Sequence, residues 1–217
     1  MRRWLPWMAV IAAAHTMAAG PRDVALDELV QRLQSAHRRL DTLQAEFTQS
    51  LHSLALAAPQ RESGTLYLRR PAQVRWEYRE PEEKLALVDG ERTWLYVPAE
   101  AQVFVGSLAE LERGGVLGLL LGEVLDVRNE FRVEPVVDES GKPLDDALAL
   151  LPRQPSEEFE RVEVTLGSDG LPRHIVVHGV LGDVMEYRLR KVRTGMLLDD
   201  ALFRFHPPEG VEVVPVE

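Results

Sequence analysis

Cysteine is absent from the 217 residues, which excludes disulfides, thiolate nucleophiles and cysteine-ligated metals together. It also excludes a lipid anchor of the bacterial kind, which is built on a cysteine beside a cleaved leader. Basic residues are few against acidic ones: 25 Lys and Arg face 35 Asp and Glu, for a net charge of −10. That balance repels polyanions, so nucleic acid and anionic membrane surfaces are not expected partners. Beyond the first twenty residues no apolar run approaches the roughly 20 residues of a bilayer span. Internal repeats, low-complexity tracts and domain-dividing linkers are missing as well.

What is present begins with a leader. Arg2 and Arg3 precede an apolar run from Trp4 to Ala14, and small residues follow at Ala18, Ala19 and Gly20. This order of charge, short apolar run and small residues is that of a secretory signal peptide. Residues 1–19 are therefore expected to be removed, leaving 20–217 as a single domain. Loss of Arg2 and Arg3 leaves 23 basic against 35 acidic residues, a net charge of −12. The exported protein, having no disulfide, is expected to be held by packing alone, which about 200 residues can supply.

Leu29, Leu33, Ala36, Leu40, Leu43 and Phe47 recur at spacings of three and four, which predicts one amphipathic helix from about Asp23 to Gln49, with Asp23 as N-cap. Its apolar stripe must lie on a sheet. Period-two alternation then appears in Gly64–Leu68, in Val74, Trp76 and Tyr78 against Arg75, Glu77 and Arg79, in Leu85–Asp89 and in Thr93–Val97. Short turn signals separate these runs, so an antiparallel meander with one bulky apolar face is expected. From Leu108 to Leu125 the pattern becomes helical, apolar nearly all round and broken by glycines, as in a buried segment or a movable cover. Strand patterns return at Phe131–Val133, Ala147–Leu151, Val162–Val164, Ile175–Val177 and Met185–Leu189, and 138–158 reads as an acidic loop flanking a short strand.

Catalytic chemistry is hard to place. No serine sits in a nucleophile-elbow context. His174 and His178 share a strand face but stand about 13 Å apart, too far for one metal. The paired carboxylates Glu82–Glu83, Asp145–Asp146, Glu157–Glu158 and Asp199–Asp200 fall in turn-like sequence and read as solvated charge. Gly118 and Gly122 lack the Lys-Ser/Thr ending of a phosphate loop. No enzyme, metal or cofactor is expected.

The aromatic residues are harder to dismiss. Val74, Trp76, Tyr78, Trp94, Tyr96 and Phe104 suit an ordinary core or a face held open for an apolar ligand. Arg70 shares parity with Leu66 and Leu68. It is either a surface arginine at a strand end or an inward guanidinium that needs acceptors.

Several words of the chain occur together and in order: Ala45-Glu46-Phe47-Thr48-Gln49, Gly64-Thr65-Leu66-Tyr67-Leu68-Arg69-Arg70-Pro71, Val74-Arg75-Trp76-Glu77-Tyr78, Asp89-Gly90 with Trp94-Leu95-Tyr96, Leu181-Gly182, and Phe203-Arg204-Phe205-His206-Pro207-Pro208-Glu209-Gly210-Val211. In these the chain resembles the periplasmic outer-membrane lipoprotein carrier proteins (LolA) over nearly all of its exported length. The Arg-Pro-x-x-x-x-Trp core and the closing Phe-x-Phe-x-Pro-Pro-x-Gly-Val are specific together. The resemblance implies an α+β, mainly β fold, an incompletely closed antiparallel β-barrel with an N-terminal helix and a helical lid over its apolar concave side. It further implies that Arg70 latches the lid, with Leu117, Leu120, Leu121 and Val124 in the lid helix. Val74, where the family is often aromatic, and the longer acidic 138–155 stretch depart from the pattern.

On that resemblance, Leu66, Leu68, Val74, Trp76, Tyr78, Leu87, Trp94, Tyr96, Phe104, Ile175, Val177 and Met185 are expected to line the surface that covers acyl chains. The implied partners are acylated lipoproteins, an inner-membrane ATP-dependent exporter and an outer-membrane acceptor, in the periplasm of a Gram-negative bacterium. A one-to-one carrier is most simply a monomer. The alternative reading is a periplasmic lipoprotein-binding sensor of related fold, which usually carries a second domain.

Overall fold

The structure is a computed structural model that describes residues 21–107 and 126–216. Helix α1 covers Pro21–Arg38. The strands are β1 (Thr42–His52), β2 (Gln60–Arg69), β3 (Gln73–Glu80), β4 (Lys84–Asp89), β5 (Arg92–Val97) and β6 (Gln102–Ser107). A short helix α2 (Val127–Glu130) then leads into β7 (Phe131–Val137), β8 (Pro143–Pro152), β9 (Phe159–Leu166), β10 (Pro172–Gly179), β11 (Val184–Thr194) and finally β12 (Glu212–Pro215).

Among the described residues the twelve strands form one sheet in the order β12-β6-β5-β4-β3-β2-β1-β11-β10-β9-β8-β7. Neighbours are antiparallel except β12 and β6, which run parallel. The sheet does not close, since β12 and β7 are its edges. Edge strands tolerate a missing N–H, and Pro135 in β7 and Pro215 in β12 sit there.

The helix ends eleven residues short of the expected Gln49, and β1 takes Thr42 onward. Leu40, Leu43 and Phe47 satisfy a helical spacing, but Leu43, Ala45 and Phe47 satisfy alternation equally well. Pairing decides between them: β1 is flanked by β2 from Thr42↔Arg69 to Leu51↔Gln60 and by β11 from Leu43↔Thr194 to His52↔Val184. Ladders on both sides, with a bulge between Gln44 and Glu46 on the β11 side, satisfy most of its donors and acceptors, which local helix propensity cannot outweigh. Asp23, expected as the N-cap, lies inside α1. The 138–158 stretch is corrected too, because β8 makes a ten-residue strand of Pro143–Pro152 that carries Asp145–Asp146.

Helix α1 buries Leu29, Val30, Leu33 and Ala36. The first three pack with Phe131, Leu148, Leu150, Val162, Val164 and Ile175 of β7 to β10. Ala36 and Leu40 join a second cluster built on β1 to β4 and β11. The turn after β9 holds α1 at close range: Arg32 Nη2 donates to Gly167 O at 2.9 Å. Gly170 there has φ +82°, and a Cβ on it would stand 2.7 Å from Arg32 O. Only glycine fits that approach.

Among the described residues no helix is long and apolar enough to cross a membrane. The expected lid residues Leu117, Leu120, Leu121 and Val124, like the leader 1–19, lie outside the described residues.

Candidate functional site

Side chains alternate along a strand, so register decides which residues share a face. The pairs Ala45↔Leu66, Leu66↔Trp76, Trp76↔Ala86, Ala86↔Leu95 and Leu95↔Phe104 make one row across β1 to β6. The next row runs Leu43↔Leu68↔Val74↔Val88. On the other side of β1, Phe47 pairs with Leu189, and Ile175 and Val177 of β10 pair with Tyr187 and Met185 of β11. This is the face on which α1 lies.

At its centre four rings interlock. Phe47 meets Trp76 edge-on at 4.6 Å between centroids and Tyr78 at 5.0 Å. Trp76 stacks beside Tyr78 at 6.5 Å and meets Tyr187 at 5.8 Å. Such pairs add about 0.5–1.5 kcal/mol each beyond area burial. The cluster depends on Gly64, where a Cβ would lie 1.8 Å from Glu77 O and 3.0 Å from Phe47. Burial, with Glu62 close by, pushes the Tyr187 hydroxyl up to about 12, so it stays protonated and uncharged.

Of the expected lining, Leu66, Leu68, Val74, Trp76, Tyr78, Phe104, Ile175, Val177 and Met185 lie on this helix-bearing face. Leu87, Trp94 and Tyr96 do not, which corrects the expectation of one shared face. Leu87 pairs with Arg75 and with Trp94, and Leu85 pairs with Tyr96, all on the opposite parity. Their partner is the closing motif. Phe205 packs on Trp94 at 5.7 Å and on Tyr96 at 5.6 Å. Arg75 Nη1 donates to Leu202 O at 3.0 Å, and the Arg69 guanidinium lies 4.6 Å over the buried Phe203 ring.

Phe47 and Tyr187 join this lining without being among the residues that the sequence assigns to it. Phe47 is hidden in the overlap of helical and strand spacing, whereas Tyr187 has the parity of Met185 and was open to detection on that ground.

Arg70 follows β2 directly, and its guanidinium turns toward the last turn of α1. Its Nη2 contacts His37 Nε2 and lies 3.0 Å from Nδ1. His37 is 5 % exposed. Burial, then the Arg70 charge and then the Arg38 charge, lower its pKa to about 4. It is therefore neutral at ordinary pH and can accept from Arg70.

His174 and His178 lie elsewhere. His174 Nε2 is 2.6 Å from Glu186 Oε1, and His178 Nε2 is 3.5 Å from Glu163 Oε1, both on the outer face. Among the described residues no three metal-ligating side chains gather.

The family profile "Outer membrane lipoprotein carrier protein LolA" matches residues 38–206. The chain belongs to the LolA family. Outer-membrane lipoprotein carrier proteins of Alkalilimnicola ehrlichii and Halorhodospira halophila are 33 % and 30 % identical to it. The first alignment covers 80 % of this chain and 77 % of that protein, the second 95 % and 91 %. An uncharacterized conserved protein of Thermus thermophilus has a similar fold, with TM-score 0.53 and 18 % identity over 88 % of this chain and 98 % of that one. LolA proteins are transport chaperones rather than enzymes.

Proposed function

We propose that this chain is a periplasmic carrier that binds the acyl chains of lipoproteins leaving the inner membrane and passes them to an acceptor at the outer membrane. The observation that carries this reading is the helix-bearing face, whose two apolar clusters meet at Tyr187 around Phe47, Trp76 and Tyr78, in a chain of this family. Each methylene exposed to water costs about 0.8 kcal/mol, so acylated cargo needs such a cover to cross an aqueous compartment.

The lining is Leu66, Leu68, Val74, Trp76, Tyr78, Phe104, Ile175, Val177 and Met185, joined by Phe47 and Tyr187. Leu117, Leu120, Leu121 and Val124 form the cover, and Arg70 latches it while resting on His37. Opening breaks the latch and strips apolar contacts from the cover, which offsets part of the gain from binding cargo. Release then needs no nucleotide at the carrier. An ATP-dependent exporter loads it, and it works as an exported monomer after loss of residues 1–19.

Co-expression with a tagged lipoprotein, purification and native mass spectrometry test this. A stoichiometric complex, lost when the cargo's lipidated cysteine is replaced, is expected. A folded protein that never carries acylated cargo contradicts the reading.

A further inference from the structure

The helix-bearing face is not uniform along its strands. Near Arg70 its rows are apolar, through Leu43, Leu68, Val74 and Val88 and then through Ala45, Leu66, Trp76 and Ala86. Toward the other end, Tyr78 pairs with Lys84, and Gln49 pairs with Tyr187 on one side and Glu62 on the other. Parity places Gln49, Glu62, Tyr78 and Lys84 on the same face as Trp76.

These four are joined. Tyr78 Oη donates to Gln49 Oε1 at 3.1 Å, and Gln49 Nε2 donates to Glu62 Oε2 at 3.3 Å. Lys84 Nζ bonds Glu62 Oε1 and stands 4.7 Å over the Tyr78 ring. The side chains of Lys84 and Glu62 are 25 % and 22 % exposed, so the row is within reach of a ligand lying on the face. As a device for stability it is poor, because a partly exposed pair contributes about 0–1 kcal/mol and beside apolar surface loses more to desolvation.

A ligand gives it a purpose. An amphiphile laid on an apolar face brings its polar end with it, and that end costs free energy unless donors and acceptors meet it. Resting on the carrier reading, we infer that Gln49, Glu62 and Lys84 form the subsite for the polar end of the cargo's lipid anchor. The acyl chains then run over Trp76 toward Arg70.

The chemistry selects the class of head. Lys84 keeps ammonium donors beyond the one given to Glu62, and Gln49 and Glu62 keep acceptor capacity. Ester carbonyls and peptide N–H groups match these. The ion pair has no net charge, in a chain of net charge −10, so a phosphate head gains nothing there. From Glu62 to Arg70 the strand extends about 26 Å, which accommodates a long extended chain.

The test compares two ligands on the whole exported protein: a synthetic diacylated lipopeptide and the neutral hydrocarbon fluorophore diphenylhexatriene. The double variant Glu62→Gln/Lys84→Met leaves no unpaired charge, and Gln49→Leu serves as a second, milder variant. Both are expected to weaken lipopeptide binding by about tenfold or more, as for a lost charge-assisted hydrogen bond, while fluorophore affinity stays within about twofold. Folded variants that bind the lipopeptide as wild type does overturn the subsite and leave the carrier reading intact. Wild-type protein that binds neither ligand overturns both.

Discussion

Arg70 and His37 join two elements that are 33 residues apart in sequence: Nη2 of the arginine reaches the imidazole of the histidine, tying the end of β2 to the last turn of α1. A cation donating to this ring requires an unprotonated nitrogen, and His37, with its pKa lowered to about 4, supplies one. Because the folded state binds fewer protons than the unfolded state between pH 6.5 and 4, stability falls as pH drops through that window. The loss reaches up to about 3 kcal/mol at pH 4. Urea titrations across the window are expected to show this slope in wild type and a flatter one in His37→Asn, whose amide oxygen still accepts from Arg70.

Arg70→Leu removes the latch and the charge beside His37. The open, loaded form gains, so cargo is expected to accumulate on the variant and delivery to the outer membrane to slow by an order of magnitude, as for the loss of one or two charge-assisted bonds of about 1.5 kcal/mol each. Pulse-labelling of a lipoprotein followed by membrane fractionation measures it. Delivery at the wild-type rate would end the latch reading.

Gly64 is fixed by contact and Gly141 by conformation alone. A Cβ at Gly64 meets the Glu77 carbonyl at 1.8 Å, whereas one at Gly141, at φ +80°, meets nothing within 4 Å. Gly64→Ala is expected to cost about 3 kcal/mol by forcing β2 from β3. Gly141→Ala should cost about 1 kcal/mol from backbone strain alone. Chemical denaturation ranks them, and equal costs would show that the strands part easily.

Phe205 rests on Trp94 and Tyr96 on the outer face, remote from the helix-bearing rows. Phe205→Ala is expected to destabilise by about 2–4 kcal/mol and to leave cargo bound per folded molecule unchanged. Thermal unfolding together with lipopeptide titration separates the two effects.

Much of this was legible in the sequence, within limits set by physics. Alternation in Val74–Trp76–Tyr78 and in Leu66–Leu68 identified strands and their inner parity, because one face of each is buried. Parity does not carry from one strand to the next. The loops at 81–83 and 90–91 set the register, and they place Leu87, Trp94 and Tyr96 outward although each looks as apolar as Trp76. The run from Leu40 to Phe47 satisfies two periods at once, so only its partners β2 and β11 could choose. The closing Phe203-Arg204-Phe205 stretch has no periodicity, which left its packing on the outer face unreadable. Glu62 and Lys84 carry no signal of their own in the sequence, and only register sets them on the face of Tyr78.

The central claim is that acyl chains lie on the helix-bearing face, and photo-crosslinking reads this directly. Benzophenone side chains placed singly at Phe104, Val177 and Met185, and at Trp94 and Tyr96 on the outer face, are irradiated in the periplasm with a tagged lipoprotein. The account predicts adducts from the first three positions, lost when the cargo's lipidated cysteine is replaced, and none from Trp94 or Tyr96. Acyl-dependent adducts at Trp94 and Tyr96 with none at the inner positions would contradict it.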